Sequence, residues 1–427
     1  MTHSQGLVYK MERFMFGMPS DYKDELDHII KLVKTLRTKK NGKQTHWEEA
    51  AEWHMKYSNL HEKPSLALTI TLSPTGCDWA RQGGCTMCGE FEGSFKRDDL
   101  LKNPQFHISQ FVSALTNPEV WKKSREVNAP ISWLRINQEG SFTNPNEVNI
   151  DAQKNILRLA TRVKGIKRVT IESRPQYLTE NIVVFLENIF KDTGVELEIG
   201  MGLEAQDDVI RNICINKQGS KKEFVNTIEL LNQHKIKPLA YILLKPPFLT
   251  EQEAIDEAVK TAHFAAEIGF ARISFEPMSI HQYTLVDLLR RAGYYKPPWL
   301  WSVIEVAKQC SDISKIFGIG GVGYYPIPVE YAQNRYEEQK CERCFEKAIN
   351  AIMEYNKTRD ISVFNSLTCE CIEQWKNECS LEDIPFKGRI KKQLEAVDEI
   401  VDTYLPTSLD TESPIRNMRI IYGNSQK

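Results

Sequence analysis

Cys77, Cys85 and Cys88 share one short segment, Cys77-Asp-Trp-Ala-Arg-Gln-Gly-Gly-Cys85-Thr-Met-Cys88-Gly89. Three thiolates on a loop, with Gly76, Gly83, Gly84 and Gly89 allowing tight turns, can wrap one face of an iron–sulfur cubane. Only three protein ligands leave one iron open to an outside group, and an open iron is where chemistry happens. The alternative is a zinc knuckle, but a structural zinc site wants four ligands and no fourth Cys or His lies nearby. A second group, Cys341-x2-Cys344 with Cys369-x-Cys371, offers four thiolates from two short segments. Four sulfurs closing a tetrahedron is a structural-zinc pattern. The same ligands would serve a second iron–sulfur cluster, unpaired buried thiols are the bland alternative, and Cys379 is a spare. Cys214 and Cys310 stand alone and read as small buried hydrophobes.

These groups need a frame. The chain has 427 residues, 41% hydrophobic and 26% charged, which fits an ordinary globular protein with room for more than one domain. No apolar run is long enough to span a bilayer, so no membrane partner is expected. Met1 to Ser20 lacks the basic start and apolar stretch of a signal peptide. A cytoplasmic location follows as the expectation, and in a reducing compartment ten cysteines point to metal binding rather than disulfides. A net charge of -2 gives no global pull toward nucleic acid. Lys31, Lys34, Arg37, Lys39, Lys40 and Lys43 form a local basic run, readable as an RNA contact or as a solvated helix face.

Tyr22 to Leu36 has apolar residues at helical spacing, and Trp47 to Tyr57 repeats it after an Asn41-Gly42 break. From Pro64, strand-like runs alternate with amphipathic helices. The strands are Leu66 to Leu72, Ile131 to Ile136, Arg168 to Glu172, Leu197 to Leu203, Pro238 to Leu244 and Arg272 to Phe275. Between them lie helices at Ala152 to Val163, Glu180 to Phe190, Lys222 to His234 and Glu251 to Ile268. This rhythm implies parallel pairing with right-handed crossovers. The expected fold is α/β, a partial (β/α)6 barrel over 65–300. A helical N-terminal extension (1–64) precedes it and a Cys-rich, helical C-terminal region (301–427) follows. The latter opens with a Gly- and Pro-rich loop, Gly318 to Pro328, and closes with a helix, Arg389 to Tyr404.

Active-site groups of such a barrel belong at the C-terminal ends of its strands, and Cys77 follows the first strand. In radical S-adenosylmethionine (SAM) chemistry the open iron of a 4Fe-4S cluster chelates the amino and carboxylate groups of SAM. One electron then cleaves the sulfonium to give a 5′-deoxyadenosyl radical. Strand two ends in Glu139-Gly140-Ser141, suited to the methionyl ammonium. Strand three ends in Glu172-Ser173-Arg174-Pro175, where Glu172 could hold ribose hydroxyls and Arg174 the SAM carboxylate; a mutual salt bridge is the alternative. Strand four ends in Gly200-Met201-Gly202-Leu203-Glu204, whose glycines permit close approach of an adenosyl group. Lys245 and Glu276, ending strands five and six, could grip a polar substrate or neutralise each other.

Together these motifs resemble the radical SAM subunit of archaeosine synthase, a relative of the elongator catalytic subunit's radical SAM domain. The likeness rests on Gly76-Cys77, Gly84-Cys85-Thr86-Met87-Cys88-Gly89, Gly140-Ser141-Phe142, Glu172-Ser173-Arg174-Pro175 and Gly202-Leu203-Glu204. Leu243 to Leu249, Pro297-Pro298-Trp299-Leu300-Trp301-Ser302-Val303 and the C-terminal cysteine pairs followed by Trp375 extend it over about residues 65–375. The resemblance implies a transfer RNA substrate carrying a lysine-adducted deazaguanine. Hydrogen abstraction from the lysine moiety would break a C–N bond and leave the amidine of archaeosine. It also implies a partner enzyme that prepares the adduct, and an electron donor such as flavodoxin or ferredoxin. Two departures stand out: Ser73-Pro74-Thr75 is less basic than the family's segment there, and Glu90 replaces an aromatic residue. Two other readings remain: a sibling acting on a small metabolite in natural-product biosynthesis, with SAM cleaved at another C–S bond as a variant, and a metal-binding scaffold without turnover.

Overall fold

Alternating strand-length and helical periods build one sheet whose strands follow chain order. The computed structural model describes residues 20–39, 52–58, 65–72, 77–89, 101–138, 140–320, 341–381 and 384–401. Helix α1 (Lys23–Lys39) comes first, then β1 (Glu52–Ser58), β2 (Ser65–Thr71), the short α2 (Asp78–Gln82), α3 (Pro104–Thr116) and α4 (Pro118–Glu126). Next are β3 (Ile131–Asn137), α5 (Ile150–Ala160), β4 (Arg168–Glu172), α6 (Glu180–Phe190), β5 (Glu196–Glu204), α7 (Lys221–Gln233) and β6 (Lys237–Leu244). The chain continues through α8 (Glu251–Glu267), β7 (Arg272–Pro277), α9 (Leu285–Arg291), α10 (Leu300–Gln309) and β8 (Phe317–Ile319). It closes with α11 (Phe345–Thr358), α12 (Cys371–Cys379) and α13 (Phe386–Val401).

The eight strands lie in the order β1 to β8. Strands β2 to β8 pair in parallel, a seven-stranded half-barrel, and β1 adds an antiparallel edge. The partial barrel is therefore as expected, with one more parallel strand, β8, drawn from the Gly- and Pro-rich segment. Trp47 to Tyr57 differs from its reading as a helix: Glu52–Ser58 is strand β1. Open ladder groups on β2 favour the change, because pairing Glu52 with Thr71 through Ser58 with Ser65 satisfies both backbones. The sheet thus reaches into the N-terminal extension and past residue 300.

Helix starts follow local chemistry. Ser220 with Glu223, and Thr250 with Glu253, form capping boxes that open α7 and α8. Inside the barrel the side chains are largely polar. Glu198 is buried and bonds Arg272 at 2.6 and 2.9 Å and Thr170 at 2.8 Å. Arg272 and Arg168 both lie over the Trp133 ring, with centroid distances of 4.7 and 5.7 Å. Higher up, Arg135 donates to the Tyr241 hydroxyl (2.9 Å), which donates to Glu172 (2.8 Å). The Glu198–Arg272, Arg135–Tyr241 and Tyr241–Glu172 bonds join strands that are not neighbours, so they cross the lumen.

Candidate functional site

The cysteine loop leaves β2 and runs through α2, with Gly83 and Gly84 at φ +141° and +79° turning it back. Cys77, Cys85 and Cys88 are half-buried and unpaired with any disulfide partner. The loop's backbone is held on several sides. Asp78 N–H donates to Glu147 (2.9 Å), and Trp79 Nε1 donates to the Asn216 carbonyl (2.7 Å). Asn216 Nδ2 donates to the Gly84 carbonyl (2.7 Å), Thr86 Oγ1 to the Cys214 carbonyl (2.7 Å), and Leu285 N–H to the Thr86 carbonyl (3.0 Å). Burial, with the nearby Glu147 carboxylate, pushes the Cys77 thiol up, against the pull of Arg174.

Whether the three thiols fit a cubane can be asked of their donor set. Cys77, Cys85 and Cys88 offer three soft thiols on one half-buried loop turned by Gly83 and Gly84, the ligand type and number that a cubane with one open iron takes. A structural zinc site takes four ligands, and among the described residues Cys341, Cys344, Cys369 and Cys371 form such a group, their ligand atoms within 4.8 Å of one another.

Around the loop stand the other expected residues. Glu139 lies outside the described residues. Gly140 leaves room that a Cβ would take from the Glu147 carboxylate, and Ser141 N–H donates to Glu147 at 2.5 Å. Glu147 is fully buried and also accepts from Asn144 (2.9 Å) and Gln138 (3.2 Å). It thereby joins the loop after β3 to the cysteine loop. Glu172 and Arg174 do not pair: Glu172 takes the Tyr241 hydroxyl, while Arg174 lies 5.9 Å from the Trp79 ring centroid and donates to the Lys217 carbonyl. Over Gly200 the Tyr241 ring passes 2.8 Å from where a Cβ would stand. At Gly202 a Cβ would overlap Lys217, which forms an ion pair with Glu204 at 2.8 Å.

Lys245 and Glu276 are not brought together. Lys245 has φ +62° and its Nζ meets Glu251 at 2.5 Å and Glu378 at 3.9 Å, so it ties β6 to α8 and α12. Its ammonium is thus engaged by Glu251 and not by Glu276. Glu276 instead accepts from Ser274 Oγ at 2.7 Å. Glu147, Asn216, Lys217 and Tyr241 were not singled out from sequence. Tyr241 and Lys217 could have been sought as the bulk that faces Gly200 and Gly202, whereas Glu147 and Asn216 carry no local signal.

The second cysteine group closes on itself. Cys341 and Cys369 sulfurs lie 3.6 Å apart, and Cys344 and Cys371 sulfurs 3.5 Å. Four thiolates on one ion with metal–sulfur bonds of about 2.3 Å would stand roughly 3.8 Å apart. Burial works against the Cys341 thiolate, but the Arg343 backbone N–H and hydrogen bonds from its cysteine neighbours outweigh it and bring it down to about 6. Burial and the shared charge push the Cys344 and Cys371 thiols up. Trp301 Nε1 donates to Cys371 Sγ at 3.1 Å, and Trp375 Nε1 to Ser302 Oγ at 2.8 Å. Ser302 in turn donates to Glu251 at 2.5 Å, which links this centre to Lys245 at the end of β6.

No protein-family model matches the chain. It is similar to an uncharacterised protein of Methanocaldococcus jannaschii, 32% identical over 321 residues, covering 74% of this chain and 83% of that protein. Archaeosine synthase subunit beta of Methanosarcina acetivorans is 29% identical over 319 residues, covering 75% and 86%. The subunit of that name from Thermococcus kodakarensis is 28% identical over 323 residues, covering 74% and 93%. Among solved structures, the Elp3 of Methanocaldococcus infernus with an N-terminal deletion matches with a TM-score of 0.40 and 16% identity, over 55% of this chain and 60% of that one.

Proposed function

This chain belongs to the radical SAM family that includes the archaeosine synthase beta subunits, and we propose that it holds a 4Fe-4S cluster on Cys77, Cys85 and Cys88 to act on transfer RNA. When bound, the cluster supplies the electron that splits SAM into methionine and a 5′-deoxyadenosyl radical. The chain's own residues do the rest. The Gly140 and Ser141 backbone, braced by Glu147, receives the methionyl ammonium. Arg174, held over Trp79, meets the methionyl carboxylate with a charge-assisted bond. Glu172, Gly200, Gly202 and Glu204 border the ribose and base, and Glu276 faces the substrate. The substrate in this reading is a lysine-adducted deazaguanine in tRNA, whose C–N bond breaks, making the enzyme a lyase. A partner enzyme supplies that adduct, and a flavodoxin or ferredoxin supplies the electron. The C-terminal thiols hold one metal ion, zinc before iron, because their sulfurs stand at single-ion separations.

The observation that carries the reading is the half-buried three-cysteine loop at the C-terminal end of β2. A second reading, a small-metabolite substrate, is favoured by the net charge of -2 and by Arg37, which is buried rather than offered to RNA. One experiment separates them. Anaerobically reconstituted protein is given SAM, dithionite and tRNA bearing the lysine adduct, and products are read by mass spectrometry. The expected result is 5′-deoxyadenosine and an amidine-bearing tRNA, both lost in Cys85→Ala. Turnover of SAM with untouched tRNA, and no salt-sensitive tRNA shift on a gel, would favour the metabolite. Methylthioadenosine in place of 5′-deoxyadenosine would overturn the radical assigned here.

A further inference from the structure

Helix α1 (Lys23–Lys39) packs against the back of the cysteine loop. Its apolar stripe is buried: Ile29, Leu32, Val33 and Leu36 are each at most 5% exposed. Arg37 lies one helical turn beyond Val33 on that same stripe and is itself only 8% exposed. Its Nη1 donates to the Ala80 carbonyl at 2.8 Å and its Nη2 to the Cys85 carbonyl at 3.3 Å. The guanidinium fills the space that a side chain at Gly84 would need, so the glycine and the arginine are fitted to each other. Next door, Ile30 and Lys34 lie 3.6 and 3.9 Å from where a Cβ on Gly83 would stand.

We propose that Arg37 is a positioning residue for the cluster, fixing the backbone on which Cys85 is carried and setting a buried positive charge behind it. The inference rests on the cluster reading above. Two physical effects follow from one side chain. The fork of N–H donors reaches two carbonyls across the turn, which a single-point donor cannot do with the same geometry. The charge acts through a dry environment, where it favours the more negative, reduced state of a cluster held by three thiolates. Groups placed beyond the direct ligands commonly govern both retention and potential in this way. Of the other pins on this loop, those from Asn216, Trp79 and Leu285 come from neutral groups, and Glu147, which accepts from the Asp78 N–H, is a carboxylate. Arg37 therefore adds a positive charge that they do not supply.

The test uses the full chain as wild type, Arg37→Ala, Arg37→Gln and Arg37→Lys, reconstituted anaerobically. Iron per chain, the rate of iron loss to a chelator, and the midpoint potential from EPR-monitored titration are compared. Arg37→Ala is expected to lose its cluster about tenfold faster than wild type and to show a more negative potential. Arg37→Lys restores the potential but retains the cluster less well, since it keeps the charge and loses the fork. Arg37→Gln, which keeps an N–H donor but loses charge, fork and reach, is expected to shift the potential as Arg37→Ala does and to retain the cluster less well than wild type. Circular dichroism confirms that the compared variants are folded. Variants matching wild type in both retention and potential would overturn the proposal while leaving the cluster reading intact. A wild type that binds iron without a reduced-cluster EPR signal would overturn both.

Discussion

A tryptophan N–H aimed at a sulfur is a small feature with a measurable consequence. Trp301 donates to Cys371 from 3.1 Å, and an N–H bond to a thiolate withdraws charge and fixes its orientation toward the ion. Trp301→Phe keeps most of the packing and removes that donor alone. It is expected to weaken retention of the C-terminal metal by about tenfold, measured as metal transfer to a chromogenic chelator, without changing iron at the N-terminal loop. Lys245 is a residue whose partners in the fold are carboxylates of α8 and α12. Its ammonium and Glu251 are both buried and meet at 2.5 Å. Removing one member of such a pair leaves the other charged and unpartnered. Lys245→Met is accordingly expected to destabilise the fold by roughly 3–5 kcal/mol, read from urea unfolding of the metal-loaded protein.

At the scale of elements, β4, β5 and β7 are tied across the barrel by Glu198. Burial alone would raise its pKa, yet Arg272 first and Arg168 next hold it below the usual value. A carboxylate with a depressed folded pKa contributes stability above its unfolded pKa and loses it as pH falls through the folded one. Acid unfolding should therefore steepen below about pH 4, near the unfolded carboxylate value, and Glu198→Gln should flatten that part of the pH–stability curve. The open edge of the sheet is managed by one helix. Asn356 on α11 donates to the Ile319 carbonyl at 2.7 Å and accepts from its N–H at 2.9 Å, filling the ladder position a ninth strand would take. Strand β1 at the other edge was hidden from a periodicity argument, because Trp47 to Tyr57 supports a helical and an alternating pattern alike. A tertiary neighbour decides such cases: β2 offers a ladder, and Met55 turns inward to 3% exposure.

At the scale of the whole molecule, the first and last described helices meet beside the barrel. Helix α1 meets α13 through His28 and Asp398 at 2.9 Å, while α13 reaches the loop after β6 through Arg389, which donates to the Phe248 carbonyl at 2.7 Å. Both cysteine centres are thus wired to the barrel by segments that flank it in sequence. Chelating the C-terminal metal is expected to raise amide hydrogen exchange in 341–381 and, through Trp301 and Ser302, in α10 as well. Protection that changes only in 341–381 would show that the two regions open independently. Among the described residues no helix is long and apolar enough to cross a membrane.

The sequence by itself determined the βα rhythm, the parallel strands, the cysteine loop at the end of β2 and the pairing of the two C-terminal thiol segments. These are local matters: period, glycine content and spacing act over a few residues, and a strand end places whatever follows it. Only the tertiary structure decided that Lys245 turns to Glu251, that Arg174 leaves Glu172 to Tyr241, and that Arg37 belongs to the cysteine loop instead of the basic surface run. In each case the partner is supplied by a distant part of the chain, and burial makes the choice binding. A charged group excluded from water must take the nearest opposite charge or carbonyl, and which one is nearest is a property of the packed molecule.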